Sequence, residues 1–81
     1  MSITVHFYSY FKDLTNCAMT TVELVPGNTI ADLHRQLIER FPKLGVMQNS
    51  TLIAVGVEYQ NRAYVLKPED EVSLFPPVQG G

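Results

Sequence analysis

The segment FPPVQGG, Phe75 to Gly81, holds the group in this sequence with the most distinctive chemistry, the backbone carboxylate of Gly81. Glycine has no Cβ, so Gly80 and Gly81 can thread a slot too narrow for other residues and adopt φ values that others avoid. A free backbone carboxylate, with an ordinary pKa of about 3.3–3.7, is an anion near neutral pH and a poor electrophile. Its transfer requires activation, and adenylation would give a mixed anhydride that a sulfur nucleophile or an amine could attack. Pro76 and Pro77 fix their φ angles and favour an extended, semi-rigid segment. The six residues from Pro76 to Gly81 would span on the order of 20 Å, enough to enter a neighbour's active site, with Val78 available for apolar contact on the way. The plain alternative is a tail without an ordered role.

Nothing else in the sequence supplies that activation. No G-x-x-x-x-G-K-[ST] phosphate loop, H-E-x-x-H pair, G-x-S-x-G elbow or paired cysteines occurs. The chain is expected to bind no cofactor of its own and to have no active site of its own, so any ATP, with its Mg, belongs to an activating partner. His6 and His34 would need a further ligand to hold a metal, and ordinary packing or surface roles are favoured for both. A reactive thiolate at Cys17 would need a cationic neighbour that its immediate sequence does not supply, so it reads as a turn residue. Glu69-Asp70-Glu71 reads as a solvated turn, with a rim contact to a basic partner as the alternative.

The elements that must carry such a tail fit into one domain. Eighty-one residues make a single compact unit, here residues 1–75 followed by a tail over 76–81. At this size only about two-thirds of the unfolded surface can be buried, yet 46% of residues are hydrophobic, so part of the apolar surface is expected to face a partner. Six Lys plus Arg against eight Asp plus Glu leave a formal charge of −2 and no basic stripe, which argues against nucleic acid. One cysteine, a strand-like start without a basic apolar leader, and no apolar run near the ~20 residues of a membrane helix point to a soluble, cytoplasmic protein that binds no membrane.

Ile3, Val5 and Phe7 alternate with Thr4, His6 and Tyr8 as in a strand with one buried face. Phe11 and Leu14 suggest a helical turn, and a second strand is expected near Met19 to Val25, stopped by Pro26-Gly27-Asn28. Thr29 with Asp32 three residues on is a helix N-cap arrangement. Ile30, Leu33, Leu37, Ile38 and Phe41 then form one apolar stripe, with His34 at its border, until Pro42 ends the helix. Leu52 to Val57 is continuously apolar, as in a strand covered on both faces near the centre of a sheet. Tyr59 to Leu66 has room for a short edge strand, Lys67 to Glu71 reads as a turn, and Val72 to Phe75 is the last strand. The fold class is α+β, one main helix on one sheet of four to five strands.

The opening ITVHFYSYFKDL, the central LIAVGVEYQNRAYVLKPEDEVSLF and above all PPVQGG resemble the small, sulfur-carrying subunit of molybdopterin synthase, the MoaD type, in the ubiquitin-like β-grasp superfamily. The resemblance covers essentially the whole chain. It implies a mixed β-grasp sheet crossed by one helix, and a Gly81 that is adenylated by a ubiquitin-activating-enzyme-like adenylyltransferase. It further implies conversion of Gly81 to a thiocarboxylate with sulfur from a persulfide donor. The tail then enters the active site of the molybdopterin synthase large subunit, which supplies the catalytic side chains. There the thiocarboxylate attacks cyclic pyranopterin monophosphate, two charged carriers serving each dithiolene, in a heterotetrameric assembly. Gly80 and Gly81 match the essential pair, and Phe75, Pro76, Pro77 and Val78 the segment leading into the partner. Phe7 and Phe11 match positions that often contribute to the apolar contact surface, with core roles as the alternative. Gly56 departs from the pattern, which usually has Asn there and thereby shapes the following turn.

Two other carriers share this design. A ThiS-type sulfur carrier for thiamin thiazole synthesis resembles the chain, though such chains are usually shorter and lack the Pro-Pro lead. A ubiquitin-like modifier would use the same adenylate to form isopeptides with lysines. A plain interaction domain whose tail binds in a pocket is a further reading.

Overall fold

Period-two alternation decides the first strand. In β1, Ser2–Phe7, the residues Ile3, Val5 and Phe7 are buried while Ser2, Thr4 and His6 turn to the other face. The computed structural model describes residues 1–77. A short helix α1, Phe11–Thr15, follows and ends on Asn16 in the left-handed region at φ 60°, which Asn tolerates better than most residues. Strand β2, Met19–Glu23, returns antiparallel to β1.

Helix α2, Ile30–Arg40, begins on the expected cap. The Asp32 N–H donates to Thr29 Oγ1 at 3.4 Å and the Thr29 N–H donates to the Asp32 carboxylate at 2.9 Å, so two otherwise orphaned donors are satisfied reciprocally. The Asp32 carboxyl is held below its usual range, first by the Thr29 backbone hydrogen bond and then by Arg35. Ile30, Leu33, His34 and Leu37 are buried, and Arg35, Gln36 and Glu39 face solvent. Pro42 ends the α-helix but also opens a 3-10 helix, Pro42–Met47, which no apolar period in the sequence announces. Its PKLGVM stretch lacks a full apolar stripe, yet it buries Leu44 against the core.

Strand β3, Leu52–Val55, is shorter than the apolar run that suggested it. Gly56 takes φ +61° and reverses the chain, leaving Val57 99% exposed in a two-residue turn before β4, Glu58–Tyr59. The backbone here demands a left-handed residue, which Gly provides without strain. The last strand, β5, is Glu71–Phe75. Its entry turn is closed by the Asp70 carboxylate, which accepts from the Lys67 N–H at 2.8 Å.

The five strands run in the order β2-β1-β5-β3-β4. β5 lies in the middle, parallel to β1 and antiparallel to β3, and α2 crosses one face. This is the β-grasp architecture. One core fills the space between sheet and helix, built from Ile3, Val5, Phe7, Ile53, Val55, Val72 and Leu74 on the sheet and Ile30, Leu33 and Leu37 on the helix. Among the described residues no helix is long and apolar enough to cross a membrane.

Candidate functional site

The alternation of β5 splits its side chains between two environments. Val72 and Leu74 point into the core, whereas Glu71, Ser73 and Phe75 lie on the face that α2 leaves uncovered. Phe75 is half-buried, and its cover comes from other aromatics. The Tyr8 ring stacks on it at 4.7 Å between centroids and 11° between planes, and Tyr59 meets it edge-on at 6.2 Å. Tyr8 is set in place by its own N–H, which donates to the Leu74 carbonyl at 3.2 Å and so prolongs the β1–β5 ladder by one residue. Tyr8 and Tyr59 remain 42% and 68% exposed, so the trio forms an open aromatic patch.

That patch stands at the root of the tail. Pro76 and Pro77, both half-buried, continue directly from Phe75. Val78, Gly80 and Gly81, the other tail residues singled out from the sequence, lie outside the described residues.

Phe7 and Phe11 require a correction. They are 2% and 0% exposed, so neither contributes a side chain to a contact surface. Phe7 is an inner-face residue of β1 and packs edge-on against Phe41 at 5.7 Å, while Phe11 heads α1 and packs against Tyr10. The aromatic that reaches the open face from this part of the chain is the next one, Tyr8. Tyr59 was missed as well. The alternation of β1 already placed Tyr8 opposite Phe7, but joining Tyr8, Tyr59 and Phe75 needs the strand order, which local periodicity does not carry.

The remaining candidates have structural occupations. His6 Nε2 lies 3.0 Å from Glu71 on the open face, above a shallow hollow of about 620 Å³ beside Tyr8. His34 sits on the other side of the sheet, 2% exposed, with Nδ1 3.5 Å from Arg62 and, among the described residues, no partner for Nε2. Burial, and then the Arg62 charge, lower its pKa to about 4, so the ring is neutral at neutral pH. The sheet separates the two histidines, and among the described residues no group of three His, Cys, Asp or Glu could hold a metal ion. Cys17 is a free thiol packed half-buried against the core.

A model of the ThiS family matches residues 5–81. The molybdopterin synthase sulfur carrier subunit of Chlamydomonas reinhardtii is 31% identical over 84 residues, with 100% of both chains covered. SAMP1 from Haloferax volcanii, at 19% identity and a TM-score of 0.88 over 100% of both chains, shares the fold. A chain in the complex of subunits 1 and 2 of the molybdopterin-converting factor from Helicobacter pylori is 26% identical, with a TM-score of 0.71 and 100% of both chains covered. A family match over nearly the whole chain and a full-length relative at this identity show that the chain belongs to the ThiS family, ubiquitin-like β-grasp proteins among which it stands beside the molybdopterin synthase sulfur carrier subunits.

Proposed function

We propose that this chain is the sulfur carrier subunit of a molybdopterin synthase. A ubiquitin-activating-enzyme-like partner uses ATP and Mg to adenylate Gly81, releasing pyrophosphate. The terminal sulfur of a persulfide donor then displaces AMP to form an acyl disulfide, and a thiol cleaves its S–S bond, becoming a disulfide with the donor's sulfur and releasing Gly81 as a thiocarboxylate. The tail carries this sulfur into the active site of the large subunit, where it attacks cyclic pyranopterin monophosphate; water then cleaves the acyl–sulfur bond, leaving the sulfur on the pterin and restoring the Gly81 carboxylate, and two such deliveries complete the dithiolene. The chain contributes the acyl carrier and the docking surface, and the partners contribute the catalytic side chains.

The observation that carries this reading is the open aromatic patch of Tyr8, Tyr59 and Phe75 at the point where Pro76 and Pro77 leave the sheet. A carrier must bring its tail into another protein's active site, and an exposed aromatic anchor at the tail's root fixes where the tail enters. The relatives that bear the sulfur carrier name, and the two-subunit complex that contains a related chain, support it from a second side. The family match fits one rival in part, a carrier for thiazole synthesis, with the same tail chemistry and a different acceptor.

Intact-mass analysis of the chain isolated from its own cells, with identification of what copurifies, tests the proposal. Exchange of one oxygen for one sulfur, together with a pterin-synthase large subunit, is the expected result. The same mass change with a thiazole synthase transfers the role to thiamin, Gly81 joined to target lysines makes the chain a modifier, and an unmodified tail with neither partner overturns the carrier reading.

A further inference from the structure

The two edges of the sheet are unequal. On one side β4 has two residues, too few to template another strand. On the other, β2 has five, MTTVE, rich in β-branched residues. A strand of this kind offers its unpaired N–H and C=O groups to any passing chain unless something covers them.

Which groups those are follows from the register. Phe7 N–H bonds to the Ala18 carbonyl at 2.9 Å, and Leu24 N–H to the Met1 carbonyl at 2.8 Å. Hydrogen-bonded pairs alternate along an antiparallel ladder, so Thr20 and Val22 also turn their backbone groups to β1, and Met19, Thr21 and Glu23 turn theirs outward. Thr21 is the midpoint of the free edge. Its carbonyl is already taken: Arg40, in the last turn of α2, donates from Nη1 to Thr21 O at 2.9 Å and from Nη2 to Thr20 Oγ1 at 2.6 Å. The guanidinium also lies 5.4 Å from the centre of the Phe41 ring. A planar fork can satisfy both oxygens at once, which a lysine ammonium cannot do with the same geometry.

We propose that Arg40 guards the β2 edge against pairing with a second copy of this chain. An antiparallel β2–β2 pair centred on Thr21 would set Thr21 opposite Thr21, Thr20 opposite Val22 and Met19 opposite Glu23, so no like charges oppose each other. The central Thr21 pair needs both Thr21 carbonyls as acceptors, and Arg40 occupies that acceptor in each monomer. The open aromatic patch of Tyr8, Tyr59 and Phe75 lies elsewhere on the sheet and is not used.

Arg40→Met tests this, since methionine keeps an unbranched stem and a good helix propensity but has no donors. Sedimentation of the wild-type chain and of Arg40→Met over a concentration series, with circular dichroism as the check on folding, gives the masses. Amide exchange by NMR locates any contact. The wild type is expected to stay monomeric, and the variant to double its mass with concentration while its Thr21 amide exchange slows by about tenfold or more. A folded variant that stays monomeric overturns the proposal. So does a dimer in which Thr21 exchange is unchanged, a wild type that dimerises equally well, or a variant that loses its fold.

Discussion

Leu74 and Phe75 are neighbours in one strand and live on opposite faces of the sheet. Leu74 is 1% exposed beneath α2, and Phe75 is half-buried among Tyr8 and Tyr59 on a face that no helix covers. The inner face is closed by shape alone, with aliphatic and Phe side chains from every strand except β4 meeting the stripe of α2. The outer face mixes Thr4, His6 and Ser73 with aromatic rings and leaves much of the ring surface in water. Apolar area spent on the inner face stabilises the chain. Apolar area held on the outer face is still available when another protein arrives.

Substitutions should separate the two faces. Leu74→Ala is expected to lower stability by about 2–5 kcal/mol, read from urea unfolding, because it removes buried atoms and leaves a cavity. A loss below about 1 kcal/mol would mean that the inner face is not the closed core described. Acid should act on the same side of the molecule. His34 is neutral in the fold with a pKa of about 4, against 6.5 for the free side chain. The unfolded chain therefore binds the proton first, so stability is complete above pH 6.5 and falls as the pH drops towards 4, by on the order of 3 kcal/mol at most. Urea midpoints at neutral pH and near pH 4 for the wild type and His34→Leu check this, since the variant should lose that part of the slope.

On the outer face the order of effects reverses. Phe75→Ala is expected to weaken binding of the large subunit by about 1–3 kcal/mol in calorimetry, with a smaller loss of stability than Leu74→Ala. Unchanged affinity would remove the aromatic patch from the docking surface. Tyr59→Ala, at the exposed rim of the patch, should cost about 1 kcal/mol of affinity or less and leave unfolding nearly unchanged. An effect larger than that of Phe75→Ala would move the centre of the contact from β5 to β4.

The inner face was largely legible in the sequence, because burial imposes a period. Ile3, Val5 and Phe7 report it at two residues, and Ile30, Leu33 and Leu37 at three to four. The capping pair Thr29 and Asp32 was legible for the same reason, being local. The outer face was not, since its patch joins β1, β4 and β5, and no local pattern states which strands are neighbours. Family likeness therefore leaves Phe7 between a contact role and a core role; it is in the core, and the side chain that reaches the open face is one residue on. The end of β3 was misread because Val57 is apolar, whereas the turn is set by the φ of Gly56. The Arg40 contact to Thr21 could not be anticipated either, for it joins β2 to the far end of α2, 19 residues away in sequence.

The parallel pairing of β1 with β5 places strands from opposite ends of the described chain side by side at the centre of the sheet. Contacts so distant in sequence require closing a loop of nearly the whole described chain, which makes them costly in entropy and slow to form. Tyr8 and Phe75 stack across this seam, so neither half of the molecule can assemble the aromatic patch alone. Under the proposed function, a partner that grips the patch engages only a chain whose β1 and β5 have already paired.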